Sequence, residues 1–220
     1  MTRALGADDP TRRTLEAEGY EVSGHSLLSF VALPHEDPPP SDWVFFYSRR
    51  GVRHLSPGAA AALARAGRPR IGAMGPGTAS ALRARGLRVD FVGDGDPAST
   101  ADLLRARLID PAAPPRPGER PRVCFVQARN SRASVMRLLG DAVAAHTLNV
   151  YASAIDPSAE VPQADVYWPT SPLNAEATVR RLERPGAATW WAIGPSTAER
   201  LRELVPGAPV ALRALAYPEY

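Results

Sequence analysis

Short apolar runs recur along the chain, and most are followed by a segment with helical spacing. The runs WVFFYS, VCFVQ and ATWWA are almost wholly apolar over the length of a strand, which is typical of strands buried on both faces. After the run IGAM, apolar residues return at Ala79, Leu82 and Leu87, the spacing of a helix with one buried face. Strands that alternate with helices predict an α/β fold built on parallel sheets.

One strand-to-helix passage occurs twice. Residues 71–82 (IGAMGPGTASAL) and 191–201 (WAIGPSTAERL) both run from an apolar strand through Gly-Pro-x-Thr-Ala into a helical pattern. The glycine permits a tight turn, the proline suits the first helical position, and the hydroxyls lie in the first turn. Either copy alone could be a well-capped turn, but two copies favour a shared purpose, since a helix start offers free N–H groups to an anion. The candidate ligand-binding residues are Gly75, Thr78, Gly194, Ser196 and Thr197.

A second pair of segments repeats in the same order. WVFFYSRRGV and VYWPTSPLNA each place a serine at the end of an apolar strand, and these serines, Ser48 and Ser171, are further candidate ligand-binding residues. Ser48 precedes Gly75 by 27 residues, and Ser171 precedes Gly194 by 23. Two matched pairs in the same order indicate that the chain has two similar halves.

Two proline-bearing segments, LPHEDPPPSD and IDPSAEVP, divide the chain. Such segments are extended linkers rather than helices or strands. We therefore expect the chain to begin in one domain, cross to a second and return, with a ligand-binding cleft between two α/β domains. The predicted parts are a discontinuous domain of residues 1–36 and 159–220, a second domain of 41–155, and linkers at about 33–41 and 154–162.

Helix ends are predicted from local signals. The segment PASTADLLRARLID predicts a helix over 97–110, with Ser99 or Thr100 as its N-cap.

Composition excludes several classes of site. All 26 basic residues are arginine, which rules out a Schiff-base lysine and a P-loop lysine. The four histidines are scattered and Cys124 is the single cysteine, so no metal site is expected. The net charge is +3, and the chain lacks the block of basic residues interleaved with aromatics that would suggest nucleic-acid binding. The chain has no apolar run of about 18 residues, so no membrane span is predicted. The first residues do not resemble a signal peptide, and a cytoplasmic protein is therefore expected.

The ordered set of motifs resembles the uroporphyrinogen-III synthase family. The resemblance rests on the N-terminal Thr2-Arg3 and on DWVFFYSRRGV, IGAMGPGTASAL, NVYAS, PTSPLNAEA and AIGPSTAERL, which together extend over most of the chain. It implies two flavodoxin-like, doubly wound domains joined by a two-stranded linker. It also implies a lyase that needs no cofactor and cyclises hydroxymethylbilane, a linear tetrapyrrole with eight carboxylates. Water is lost and ring D is inverted through a spiro intermediate, giving uroporphyrinogen III.

The resemblance also implies roles for particular residues. Tyr151 matches the family's tyrosine and is the candidate general acid, although it could instead be a core aromatic of its strand. Arg3 matches the family's N-terminal arginine and is a candidate for binding a substrate carboxylate. Other arginines near turns could do the same or simply be solvated: Arg49, Arg50, Arg129 and Arg132.

The sequence departs from the family pattern at three places. The family has an apolar strand before the Thr-Arg pair, Tyr47 stands where a threonine often precedes the serine, and VQARNSR lacks the expected glycine-bearing turn. The alternative interpretation is a non-catalytic module that binds an anionic ligand in the same kind of cleft. A small-molecule substrate and a monomer are expected, because nothing in the sequence suggests a strong interface.

Overall fold

The structure, a computed structural model, describes residues 1–3, 5–65, 67–108 and 119–213. The chain divides into two compact units. The first consists of Met1–Ser29 and Ala154–Tyr220, and the second of Phe30–Ser153. The chain therefore leaves the first unit after Ser29 and returns to it at Ala154, a few residues before each of the proline-bearing linkers.

The second unit contains a six-stranded sheet with helices between its parallel strands. Its elements are β2 (Trp43–Phe46), α2 (Arg49–His54), α3 (Pro57–Ala64), β3 (Arg70–Ala73), α4 (Pro76–Ala84), β4 (Phe91–Val92), α5 (Pro97–Leu108), β5 (Arg122–Ala128) and α6 (Ser134–Leu139). Two further strands, β1 (Leu28–Ala32) and β6 (Ala144–Ile155), pass from one unit into the other.

The strands of this sheet lie in the order β1-β6-β5-β2-β3-β4. The five strands from β6 to β4 are parallel neighbours. Hydrogen bonds from Leu33 N to Val150 O and from Asp156 N to Leu27 O pair β1 with β6 in antiparallel fashion. Counted from β2, the parallel strands follow the order 3-2-1-4-5, whereas a flavodoxin-like sheet has the order 2-1-3-4-5. The flavodoxin-like expectation thus differs from this sheet in strand order.

The central strands are buried on both faces. On β2, Val44 and Phe46 join one core and Trp43 and Phe45 join the other, because successive side chains point to opposite faces. All four are at most 3% exposed. This explains why the run WVFFYS is continuously apolar, and it confirms the prediction of an α/β fold with parallel strands.

The first unit is built around a smaller parallel sheet of order β7-β8-β9. Its elements are α1 (Pro10–Ala17), β7 (Val166–Tyr167), α7 (Pro172–Val179), β8 (Thr189–Ala192), α8 (Pro195–Leu204) and β9 (Val210–Leu212). The fully buried Trp190 packs at the centre of its core. Thr2 lies beside the continuation of β7, since its N–H donates to Trp168 O at 3.2 Å.

The helix predicted over 97–110 is found as α5, but the predicted N-cap, Ser99 or Thr100, is wrong. Asp96 caps the helix, because its carboxylate accepts from Ala98 N and Ser99 N at 2.9 Å each. Thr100 is fully buried instead, and its hydroxyl contacts Asp94 at 3.1 Å. Residues 109–110 lie outside the described residues. Within the described part of the chain, no helix is both long and apolar enough to span a bilayer.

Candidate functional site

Ser48 and Gly75 follow two neighbouring parallel strands of the second unit, so they lie at the same edge of its sheet. The Ser48 hydroxyl caps α2 by accepting from Gly51 N at 3.2 Å. Gly75 begins α4 without a side-chain cap, and a Cβ there would lie 3.4 Å from the backbone of Gly95. The close backbone approach is a physical reason for glycine at this position. Thr78, in the first turn of α4, is only 7% exposed.

Tyr151 is brought to this edge by an irregularity in β6. Gln127 pairs with Asn149, but the next residue, Ala128, pairs with Tyr151, so Val150 is an extra residue in the strand. Such a bulge re-aims the side chains that follow it. Val150 and Tyr151 consequently pack in the same core cluster although they are consecutive.

The Tyr151 hydroxyl lies 3.2 Å from the Ser48 hydroxyl, and the two share a hydrogen bond. The ring is largely buried, at 8% exposed. The structure therefore combines the two interpretations of Tyr151 from the sequence: its ring contributes to the core, and its hydroxyl reaches a serine at the strand end. The backbone N–H of Arg129, directly after β5, donates to Tyr151 O at 2.8 Å and so continues the pairing of the two strands.

Three residues around Tyr151 were not predicted as partners. The imidazole of His54 stacks on its ring, with centroids 5.3 Å apart and planes at 22°. Phe30 is a second ring neighbour at 6.2 Å, and the guanidinium of Arg50 lies 3.8 Å from the Phe30 centroid. Burial lowers the pKa of Arg50. A scattered histidine carries no sequence signal that marks it as a partner of a tyrosine nearly a hundred residues away.

The short helix α2 carries three arginines: Arg49, Arg50 and Arg53. Among the described residues, none of the three has a carboxylate partner. The Arg49 side chain passes over the start of α4, where a Cβ on Gly77 would lie 3.7 Å from its Cδ. Helix α2 therefore carries guanidinium groups that no carboxylate of the described residues neutralises.

Tyr47, which departs from the family pattern, has a structural role in this chain. Its hydroxyl accepts from Met136 N at 2.8 Å and so caps the start of α6. Burial raises its pKa to about 12. A phenol that is held protonated and bonded to a helix start is poorly suited to exchange a proton near neutral pH.

The corresponding edge in the first unit is formed after β7 and β8. Ser171 caps α7 by accepting from Asn174 N at 3.2 Å, and it also accepts from the Asn174 side-chain amide at 3.1 Å. Gly194 starts α8 without a side-chain cap, as Gly75 does for α4. Ser196 is half-buried, but Thr197 is only 1% exposed. The repeated turns thus have the same backbone design, with the threonine side chain turned inward.

Arg3 lies in the first unit beside Thr2, which contacts Thr170 through hydroxyls 3.3 Å apart. Its guanidinium forms a two-point ion pair with Asp9, with N–O distances of 2.5 and 2.9 Å. Hydrogen bonding to Arg3 lowers the pKa of Asp9. Arg3 is therefore already neutralised by Asp9, whereas the arginines of α2 are not.

The predicted residues thus form two separate groups. The structure brings Ser48, Gly75, Thr78 and Tyr151 to one edge in the second unit. In the first unit Ser171, Gly194, Ser196 and Thr197 follow two neighbouring strands, while Arg3 contacts Asp9 and Thr11 instead. A cavity of about 520 Å³ in the first unit is lined by none of them; its walls include Met1, Leu27 and Trp168.

The described residues contain no group of three or more His, Cys, Asp or Glu side chains that could hold a metal ion. Cys124 is buried, and burial raises its pKa to about 12.

Comparison with known proteins identifies one family by sequence, and solved structures of that family have a similar fold. A family model described as uroporphyrinogen-III synthase HemD matches residues 9–210. A search of curated proteins finds no match. The structure is similar to a uroporphyrinogen-III synthetase from Helicobacter pylori, with 19% identity over 88% of each chain and a TM-score of 0.65. It is also similar to a mutant uroporphyrinogen III synthase from Thermus thermophilus, with 17% identity over 92% of this chain and 87% of the other, and a TM-score of 0.54.

Proposed function

The chain belongs to the uroporphyrinogen-III synthase family, and we propose how its residues perform the reaction of that family. The enzyme is a lyase that cyclises hydroxymethylbilane with loss of water and inversion of ring D, giving uroporphyrinogen III. The steps that its residues must support are binding of a chain with eight carboxylates, departure of a hydroxyl group, and closure on the correct ring carbon.

We propose that the two compact units are the two α/β domains implied by the family, each supplying one carboxylate-binding edge. In both units a serine-capped helix and a Gly-Pro helix start follow neighbouring parallel strands. Ligands of open α/β sheets bind at the carboxyl ends of strands, which supports this assignment.

Carboxylates of the substrate bind to neutral donors and to cations at these edges. The helix starts after Gly75 and Gly194 provide backbone N–H groups, and Ser196 provides a hydroxyl. Thr78 and Thr197 support these helix starts from within, because their N–H groups donate to Gly75 O and Gly194 O at 3.1 Å each and their side chains are 7% and 1% exposed. Arg49 is exposed and has no carboxylate partner among the described residues, so its guanidinium is free to bind one.

Tyr151 is the general acid in this proposal. Its phenol donates a proton to the departing hydroxyl, which leaves as water while the methylene carbon becomes cationic. Ser48, 3.2 Å away, holds the phenol at the strand end. A positioned acid of this kind contributes on the order of 10²-fold. The remaining rate and the choice of isomer come from folding the flexible substrate so that the correct ring carbon meets the cation.

The observation that carries this assignment is the contact between Tyr151 and Ser48. It joins the candidate acid to a serine at the carboxyl edge, and it forms because of the extra residue in β6.

Titration with the product, uroporphyrinogen III, followed by amide NMR would test the binding residues. We expect the largest shifts at Gly77 and Ser196, and smaller shifts at Thr78 and Thr197, whose N–H groups donate within their own turns. Ala59, in a serine-capped helix start away from the proposed edges, is the matched control. Shifts confined to the residues around the first-unit cavity would contradict the assignment.

We further propose that the enzyme is a cytoplasmic monomer without a nucleic-acid partner. The large apolar side chains that are exposed, such as Val31 and Leu212, are scattered rather than contiguous in sequence. Light scattering at micromolar concentration would test the monomer, and a dimer mass would contradict it.

A further inference from the structure

Tyr151 lies in β6 opposite Ala128, the last residue of β5, and its ring needs support to keep its hydroxyl in one place. The phenol oxygen lies on the axis of the bond between Cβ and the ring, so it is displaced by a swing of the side chain about Cα–Cβ, and packing against the face of the ring opposes that swing. A hydrogen bond to one serine fixes a single point of the ring. The rings of His54 and Phe30 are the aromatic neighbours that oppose the swing of the side chain.

The near-parallel contact is made by His54. Its ring plane lies at 22° to that of Tyr151, whereas the Phe30 ring is tilted by 57° and lies farther away. The imidazole therefore lies against one face of the Tyr151 ring and opposes a swing of the phenol towards that side.

The backbone around His54 is held from two other segments. Arg85 donates to the carbonyls of Val52 and Leu55, and Ser56 N donates to His35 Nε2 at 3.2 Å. The stacking ring therefore projects from a fixed point, the last residue of α2.

We propose that His54 is a positioning residue, whose ring holds the Tyr151 phenol against Ser48 in the orientation needed for proton donation. The inference rests on the proposed role of Tyr151 as general acid. His54 acts through its flat surface, so an aromatic ring can replace the imidazole.

A variant series separates this role from others. His54→Ala and His54→Gln are expected to lower kcat about 10- to 50-fold with KM changed less than about twofold, because misplacement of a catalytic group costs rate rather than binding. His54→Phe is expected to stay within about threefold of the parent kcat. The matched control is His146→Ala, an exposed histidine on β6.

The position of Tyr151 can be followed without substrate. Tyrosine labelled with ¹³C at the ring carbon bearing the hydroxyl gives one NMR signal for each of the six tyrosines, and Tyr151→Phe identifies the signal of interest. We expect that signal to shift or broaden in the Ala and Gln variants and to return near its original position in His54→Phe. An unmoved signal in His54→Ala would overturn the inference.

A double-mutant comparison completes the test. In a Tyr151→Phe background, His54→Ala should cause less than about twofold further loss, because no hydroxyl remains to be positioned. A full additional loss, or a His54→Phe variant as slow as His54→Ala, would refute positioning. If the NMR signal responds as expected but Tyr151→Phe is fully active, positioning holds and the acid role of Tyr151 fails.

Discussion

Ser48 has two structural roles, and comparison with Ser56, which has only one of them, separates their effects. Ser48 caps α2 and shares a hydrogen bond with Tyr151. Ser56 caps α3 by accepting from Ala59 N at 3.1 Å, without a contact to Tyr151. Ser56→Ala removes a helix cap alone. Ser48→Ala removes a helix cap and also the hydrogen bond to Tyr151.

The expected loss of stability follows from the contacts that each substitution removes. Loss of an N-cap costs about 1 kcal/mol, and loss of the partner of the Tyr151 hydroxyl costs about 1 kcal/mol more. Ser56→Ala should therefore lower Tm by about 3 °C and Ser48→Ala by about 6 °C, since 1 kcal/mol corresponds to roughly 2–4 °C in a chain of this size. A phenol released from its serine should also lower kcat about tenfold, equivalent to about 1.4 kcal/mol in the barrier.

The assay combines thermal unfolding by circular dichroism with initial rates of uroporphyrinogen III formation at temperatures well below both transitions. We expect Ser56→Ala to keep the parent kcat. Equal losses of kcat in the two variants would show that the activity defect is only a stability defect. A Ser48→Ala variant with the parent kcat would refute the role of the hydroxyl contact.

Three further predictions follow from individual groups. Tyr151→Phe should lower kcat about 10²-fold, and a loss above about 10⁴-fold would contradict catalysis distributed over many contacts. Burial alone would raise the pKa of Asp90, but hydrogen bonds from Arg68 and Ile71 N bring it below its usual value. The stability it adds is therefore present above about pH 4 and lost as pH falls through the lowered pKa. Asp90→Asn should lose about 2 kcal/mol of unfolding free energy at pH 7 and less at pH 3, measured by urea titration; an equal loss at both pH values would contradict this. Cys124, with its pKa raised to about 12 by burial, should react with a thiol reagent at pH 8 only after unfolding, and rapid reaction of the native protein would contradict its burial.

The parallel sheets and the strand ends were predictable because their signals are local. A continuously apolar run such as WVFFYS indicates a strand covered on both faces, and Ser48 or Gly-Pro after such a run marks the start of a helix. These local signals are sufficient to place Ser48, Gly75, Ser171 and Gly194 at the ends of strands.

The contacts that define the site depend on distant segments and could not be predicted in the same way. The extra residue in β6 exists only relative to the register of β5, and the Ser48–Tyr151 contact joins residues 103 positions apart. The orientation of Thr197 was also beyond local signals, because the helix turns that side chain into the core. Asp9 directly before Pro10 is a typical N-cap pattern and does cap α1, but this local signal does not indicate its ion pair with Arg3.

The identity of the cyclic product is the most direct test of the central claim. Hydroxymethylbilane closes spontaneously without inversion to uroporphyrinogen I, so the ratio of isomers separates catalysed from spontaneous closure. Incubation of the purified protein with this substrate, followed by oxidation and chromatographic separation of the uroporphyrins, should give predominantly isomer III, without added metal or cofactor. Isomer I alone, at the rate seen without protein, would contradict the assignment.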